Sequence, residues 1–141
     1  MRKLLYLFLS VSLLAFSACG DDDNDQTPQS DCVGGKGGAM VLAAKTVHHT
    51  RPINGCKLYI KYNTNSFPGE NTSVYDDSLQ MPTDSSQAWF SGLKCGKYYL
   101  YATGIDSLLD PSLWIVKGGI PVNTSLSADT LNITVYITEG D

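Results

Sequence analysis

The sequence predicts an all-β fold, a single antiparallel β-sandwich of about seven strands. First, the chain beyond Gly38 consists of short runs in which apolar and polar residues alternate. Second, clusters of Gly, Pro, Asn and Asp separate these runs, and such residues favour turns. Third, apolar residues nowhere keep a helical period over three turns. We therefore expect one β domain at residues 39–139.

Two strands are predicted early in this domain, at residues 39–47 and 56–62. In the second strand, Leu58 and Ile60 fall on one face and lysines on the other, which is typical of a sheet with one face in water. The turn-forming residues between the two runs predict a hairpin that pairs them antiparallel.

A long polar segment follows at residues 63–86, with Pro and Gly as breakers. Residues 78–81 within it are predicted to form a short edge strand. A segment this long in a compact domain is either functional or partly structured, so it is a place to look for a binding surface.

Further stretches complete the predicted strands. Residues 88–103 read as a strand, a turn and a second strand, and residues 131–138 form the clearest amphipathic strand of the chain. Residues 114–116 and 120–122 are either two short strands or one strand with a glycine bulge.

A turn motif in the middle of the domain resembles a known family. Four residues share the pattern F-x-x-L-x-x-G-x-Y: Phe90, Leu93, Gly96 and Tyr98. The motif is similar to the Leu-x-x-Gly-x-Tyr corner of transthyretin-like domains, which include collagen-adhesin B repeats and carboxypeptidase regulatory domains. Those domains usually have Pro at the position of Cys95, and a related tyrosine device occurs in immunoglobulin sandwiches. The resemblance implies a transthyretin-like or immunoglobulin-like sandwich over residues 39–139.

Residues 1–18 have the three parts of a secretion signal: positive charges at Arg2 and Lys3, an apolar run at residues 4–16, and small residues before Cys19. The run of about 13 residues is shorter than the roughly 20 that span a bilayer. A cysteine directly after small residues resembles a bacterial lipoprotein signal. The resemblance implies cleavage before Cys19 and a diacylglyceryl and palmitate anchor on that residue. The alternative is an ordinary secretory signal with a chance cysteine.

Residues 19–38 are predicted to form a flexible acidic and Gly-rich tether. Within it, Gly20 followed by Asp21, Asp22 and Asp23 resembles the export signal of surface lipoproteins in the Bacteroidetes. This resemblance implies an outer-membrane protein that faces the extracellular side. The alternative is a solvated acidic linker.

The charge balance limits the partners. The 141-residue chain has a formal net charge of −4 at pH 7, and removal of the signal with Arg2 and Lys3 makes it more acidic. Nucleic acid is not expected as a partner, because it requires a basic face or stripe. Contact with a membrane is expected through the lipid alone, and the remaining partner is an unidentified protein or glycan.

Three cysteines remain beyond Cys19, and a disulfide is permitted outside the cytoplasm. Transthyretin-like topology implies that Cys32 and Cys95 lie at one end of the sandwich and Cys56 at the other. We therefore expect a disulfide between Cys32 and Cys95. The alternative is three reduced, buried thiols.

No catalytic or metal-binding pattern is predicted. A G-x-S-x-G motif is absent, and no particular serine can be assigned to the two histidines. His48 and His49 are adjacent, and neighbouring side chains on an extended chain point in opposite directions, which favours a polar hairpin end over a metal site. We expect a protein that is not an enzyme and has no cofactor.

Several tyrosines are predicted on outward-facing strand positions: Tyr59, Tyr99, Tyr101 and Tyr136. Grouped on one sheet, they would form a flat platform that stacks on sugar rings or binds a partner protein. The alternative is that they form cross-strand pairs that stiffen a sheet.

Three hydroxyls stand between an Asp and a Leu: Ser78, Ser107 and Thr130. The pattern resembles the O-glycosylation sequon of the Bacteroidetes, which implies that these residues accept glycans.

These features together predict a non-enzymatic surface lipoprotein that presents a β-sandwich for binding or assembly. One alternative is an accessory carbohydrate-binding lipoprotein of a nutrient-uptake system that uses the tyrosine face. Another is a component related to fimbriae, because fimbrillins of the Bacteroidetes are lipoproteins with transthyretin-like sandwiches.

Overall fold

A computed structural model describes residues 32–107 and 114–140, and this part of the chain is all-β. The eight strands are β1 Lys36–His48, β2 Arg51–Pro52, β3 Lys57–Tyr62, β4 Asp77–Gln80, β5 Gln87–Leu93, β6 Gly96–Asp106, β7 Trp114–Thr124 and β8 Ala128–Glu139. Among the described residues, one 3₁₀ turn lies at Thr72–Val74. Across these residues, no helix has the length and apolar character needed to cross a membrane.

The strands form one continuous hydrogen-bonded path that curls around the core. Its order is β2-β1-β8-β7-β6-β3-β4, and β5 pairs with the same edge of β1 as β2 does. The link between β7 and β8 is short, because only Val116 and Lys117 pair with Glu139 and Thr138. The sheet is therefore a curled, mixed half-barrel rather than a flat layer.

The first and last of these strands, β1 and β8, pair in parallel, from Ala39 opposite Ala128 to His48 opposite Ile137. The expectation of purely antiparallel pairing is therefore wrong. Alternation of apolar and polar residues has a period of two in both kinds of pairing, so the pattern carries no information about direction.

The predicted hairpin between residues 39–47 and 56–62 is also wrong. Strand β1 pairs with β2, β5 and β8, whereas β3 pairs antiparallel with β4 and β6. The chain thus crosses from one half of the curled sheet to the other between β2 and β3. Strand β7 is one unbroken strand along β6, which agrees with the single-strand alternative but without the bulge.

The core lies inside the curl. Large, fully buried side chains of the long strands fill it, together with Met81 just after β4: Met40, Leu42, Leu58, Ile60, Phe90, Leu93, Tyr98, Leu100, Val116 and Ile137. The predicted inward face of β3 is confirmed, since Leu58 and Ile60 have no exposed surface.

Strand β1 begins at Lys36, inside the segment predicted as tether. The glycines there serve close packing. A Cβ atom on Gly38 would lie 2.6 Å from the backbone carbonyl carbon of Leu93. Lys94 N–H donates to the Gly35 carbonyl oxygen at 2.9 Å. The Gly-rich stretch therefore allows β1 and β5 to approach each other.

Candidate functional site

The start of β1 is covalently attached to the corner between β5 and β6. A disulfide joins Cys32 and Cys95, whose Cα atoms are 4.9 Å apart. This is the pairing that the resemblance implies, but the route to it differs. The pairing of β1 with β5, which places Lys36 opposite Leu93, brings Cys32 to this corner. Among the described cysteines Cys56 is free and buried, and burial raises the pKa of its thiol.

Hydrogen bonds from the buried Tyr98 stabilise the same corner. Its side chain is fully buried, and its hydroxyl accepts from the Gly35 N–H at 3.0 Å and donates to the Lys94 carbonyl at 2.5 Å. Gly96 is required here, because a Cβ atom on it would lie 2.6 Å from the Gly34 Cα. The motif that suggested a tyrosine corner therefore forms a real turn with a buried tyrosine.

An aromatic cluster covers the outer face of β3 and β6. Its members are Tyr59, Phe67, Tyr75, Tyr99 and Tyr101. Tyr75 stacks on Tyr101 with ring centroids 5.7 Å apart and planes 17° apart. Phe67 lies 5.6 Å from Tyr99 and 5.5 Å from Tyr101, and Tyr59 lies 5.6 Å from Tyr75. The long polar segment thus contributes two rings that lie over those of the strands.

This cover changes the predicted tyrosine platform. Tyr101 keeps only 3% of its surface exposed, so it lies beneath the cluster. Tyr136 is 64% exposed but belongs to β8, which pairs with β1 and β7 rather than with β3 or β6. Three of the four predicted tyrosines are therefore together, and they form a covered cluster instead of an open platform. Phe67 and Tyr75 were missed because their segment has no strand alternation.

Burial sets the ionisation of the cluster. It raises the pKa values of Tyr75, Tyr99 and Tyr101, because the charged phenolate is poorly solvated there. Nearby Glu70 adds to the increase at Tyr75 and Tyr101. These phenols therefore stay neutral and can donate hydrogen bonds at physiological pH.

A depression of about 440 Å³ opens beside the cluster, between β3, β4 and the 3₁₀ turn. It is lined by Lys57, Tyr59, Thr72, Ser73, Tyr75, Asp76, Asp77 and Ser78. Asp76 accepts from Lys61 Nζ at 2.9 Å and from the Tyr62 N–H at 2.7 Å, which fixes its carboxylate. Asp77 is held by Lys36 Nζ at 2.9 Å. Two aromatic walls and fixed carboxylates in one depression can bind a polyhydroxylated ligand.

A second group of polar side chains, the histidine site, lies where β1 and β8 end. It consists of His48, His49, Asp106 and Glu139. His48 is buried, and its Nδ1 lies 2.8 Å from Oδ2 of Asp106, whose side chain is also buried. Glu139 Oε1 lies 3.2 Å from His48 Nε2 and 3.4 Å from His49 Nε2. The contact with His48 has an ion-pair distance but not hydrogen-bond geometry, so His48 Nε2 has no hydrogen-bond partner among the described residues.

The expectation that the two histidines point apart is wrong. His49 has φ +53°, so the chain is no longer extended at that residue, and the two imidazole centroids are 4.2 Å apart. The pKa of Glu139 is lowered, first by a hydrogen bond from its own backbone N–H and, against some desolvation, by both histidines. Asp106 and Glu139 were not singled out from the sequence, because only the fold brings the ends of β6 and β8 to β1.

The structure describes some of the other predicted site residues and not others. Cys19 and the acidic residues Asp21, Asp22 and Asp23 lie outside the described residues. Ser78, Ser107 and Thr130 are all exposed. The Asp that precedes Ser107 is the buried partner of His48, so that sequon is only partly accessible.

Comparison with known proteins adds no family to this picture. A scan against protein-family models finds no match, and a search of curated proteins finds no related sequence. Functional inference therefore depends on the residues and their geometry.

Proposed function

We propose that this protein is a non-enzymatic lipoprotein that is anchored through Cys19 at the outer membrane of a member of the Bacteroidetes and presents a transthyretin-like β-sandwich outside the cell for binding or assembly. The observation that carries the proposal is the disulfide between Cys32 and Cys95. Structural disulfides form and persist in oxidising compartments, so the bond supports export of the domain.

The corner supports the finer fold assignment. Strands β3 and β6 pair antiparallel, and the buried Tyr98 hydroxyl bonds to backbone atoms beside Gly96, as expected for a Leu-x-x-Gly-x-Tyr corner. The two halves of the curled sheet enclose a common core and are joined by only a short pairing between β7 and β8, and this supports a sandwich.

The attachment is tested by labelling cells with an alkyne analogue of palmitate. The wild-type chain should incorporate the label, and Cys19→Ser should abolish it and release the protein from the membrane. Cys56→Ser is the matched control, because it removes a thiol that is buried in the domain. Export is tested by protease treatment of intact cells: replacement of Asp21, Asp22 and Asp23 by Ala should protect the protein. Equal labelling of Cys19→Ser would disprove the anchor.

A carbohydrate ligand is the second candidate, and the depression beside the aromatic cluster favours it. Sugar rings present apolar C–H faces that stack on aromatic rings and hydroxyls that bind carboxylates. Tyr59 and Tyr75 supply the rings, and Asp76 and Asp77 supply fixed acceptors in the same wall.

A glycan array with the full-length protein in detergent tests this candidate. Retention on one sugar class should be lost in Tyr59→Ala and Tyr75→Ala. Tyr136→Ala is the matched control, since it removes a tyrosine that is 64% exposed on β8. Retention that survives both cluster variants, or that is lost equally in the control, would contradict binding at the depression.

A further inference from the structure

The histidine site brings together three side chains of metal-ligating types, and the parallel pairing of β1 and β8 creates it. Because parallel strands end at the same edge, His48 at the end of β1 comes next to the last residues of β8. The turn at His49 then swings a second imidazole toward Glu139. One donor atom from each of these three residues lies within 4.8 Å of the others.

One ring nitrogen of the buried His48 has no hydrogen-bond partner among the described residues. His48 Nδ1 lies 2.8 Å from Oδ2 of Asp106, and Arg51 Nη2 lies 3.9 Å from the same oxygen. Because a carboxylate accepts hydrogen bonds, Asp106 favours the tautomer of His48 with its proton on Nδ1. This contact orients the ring so that Nε2 lies 3.2 Å from Oε1 of Glu139, without a hydrogen bond to it.

A second imidazole lies beside the same carboxylate, because His49 Nε2 is 3.4 Å from Glu139 Oε1. The three donor atoms therefore lie together, and one of them, Nε2 of the buried His48, has no hydrogen-bond partner among the described residues. A cation at this position would contact all three donors.

Two of the donor distances fit a tetrahedral ion. Bonds of about 2.0–2.1 Å from zinc to nitrogen and oxygen place neighbouring ligands about 3.4 Å apart. The two distances to Glu139 Oε1, 3.2 Å from His48 and 3.4 Å from His49, match this edge length. Asp106 stands where metal-binding histidines usually have a carboxylate partner on the other ring nitrogen.

We propose that His48, His49 and Glu139 bind a divalent transition-metal ion of the zinc class, with Asp106 as the positioning residue that fixes the tautomer of His48. Two imidazoles and one carboxylate suit Zn²⁺ and related ions rather than Ca²⁺ or Mg²⁺, which prefer oxygen ligands. The ion would tie the end of β1 to the end of β8.

Isothermal titration of the metal-stripped full-length protein with Zn²⁺ tests the site. We expect one ion per chain and a binding constant that falls at least about 10-fold in His49→Ala and in Glu139→Gln. Glu70→Gln is the matched control, because Glu70 is an exposed acid that forms an ion pair with Lys117 and not with a histidine. His49 is also exposed, with 66% of its side chain accessible, so its loss should leave the fold intact.

Cobalt provides a readout that a merely structural role would not change. Co²⁺ in the wild-type site should show the visible bands of tetrahedral coordination, and His49→Ala should lose them. Asp106→Asn should weaken Zn²⁺ binding about 10–100-fold, because an amide turned toward Nδ1 moves the ring proton to Nε2. Binding should also weaken at acidic pH, where protons compete for both imidazoles.

Three results would overturn the proposal. One is the absence of saturable Zn²⁺ binding at neutral pH. Another is unchanged affinity in both His49→Ala and Glu139→Gln, which would assign any bound ion to other acidic residues. The third is Ca²⁺ binding as tight as that of Zn²⁺, which would indicate a site made of carboxylates alone.

Discussion

Removal of the disulfide between Cys32 and Cys95 should cost the domain a large part of its stability. The two cysteines are 63 residues apart in the sequence. Closing a loop of this length removes chain entropy from the unfolded state worth about 4 kcal/mol at 25 °C in the loop-entropy model. Domains of this size have total unfolding free energies of roughly 5–15 kcal/mol. Replacing both cysteines with Ala should therefore lower the unfolding temperature by roughly 15–30 °C.

Urea unfolding of the oxidised wild type and of the Cys32→Ala, Cys95→Ala double variant measures this difference. A reductant serves as the control: it should lower the stability of the wild type to that of the variant and leave the variant unchanged. A difference below about 1 kcal/mol would refute the reasoning, because it would mean that the unfolded chain is compact at this point without the bond.

Two further predictions concern tyrosines. Tyr98→Phe should destabilise the fold by about 1–3 kcal/mol, because it leaves the Gly35 N–H and the Lys94 carbonyl without their buried partner; an unchanged urea midpoint would show that water replaces the hydroxyl. At alkaline pH, Tyr62 should oppose folding, since burial first and then Asp77 raise its pKa from 10.0 to about 12. As the pH rises, Tyr62 ionises first in the unfolded state. The contribution of neutral Tyr62 to the stability of the fold is therefore complete below pH 10.0 and is lost as the pH rises to about 12. Tyr62→Phe should reduce the alkaline loss of stability, and an identical pH profile would contradict the shift.

Much of the fold follows from local patterns in the sequence. The strand at Leu58 and Ile60, the turn before Tyr98 and the last strand are encoded by alternation and by turn residues, which act over a few positions. The pairing of strands does not follow from local patterns, because it depends on which strand edges come together once the whole chain has folded. The parallel neighbour of β1 and the absence of the early hairpin therefore could not be read from the pattern.

The candidate sites likewise contain residues that local patterns predict and residues that only the fold brings together. Tyr59, Tyr99 and Tyr101 were predicted because they lie on a regular strand face. Phe67 and Tyr75 come from an irregular segment that packs back onto that face, and nothing local indicates it. The histidine site requires three strand ends and one residue with positive φ, so its members are scattered through the sequence.

The parallel pairing of β1 with β8 also bears on how the chain folds. Residues of the two strands that lie side by side are about ninety positions apart, so closing this contact has a large entropic cost and slows folding. A chain exported as proposed emerges with β1 first and β8 last. Strand β1 therefore keeps the edge that pairs with β8 unpaired until translocation is almost finished. The corner at Cys95 emerges earlier, so the disulfide can hold β1 against β5 during that interval.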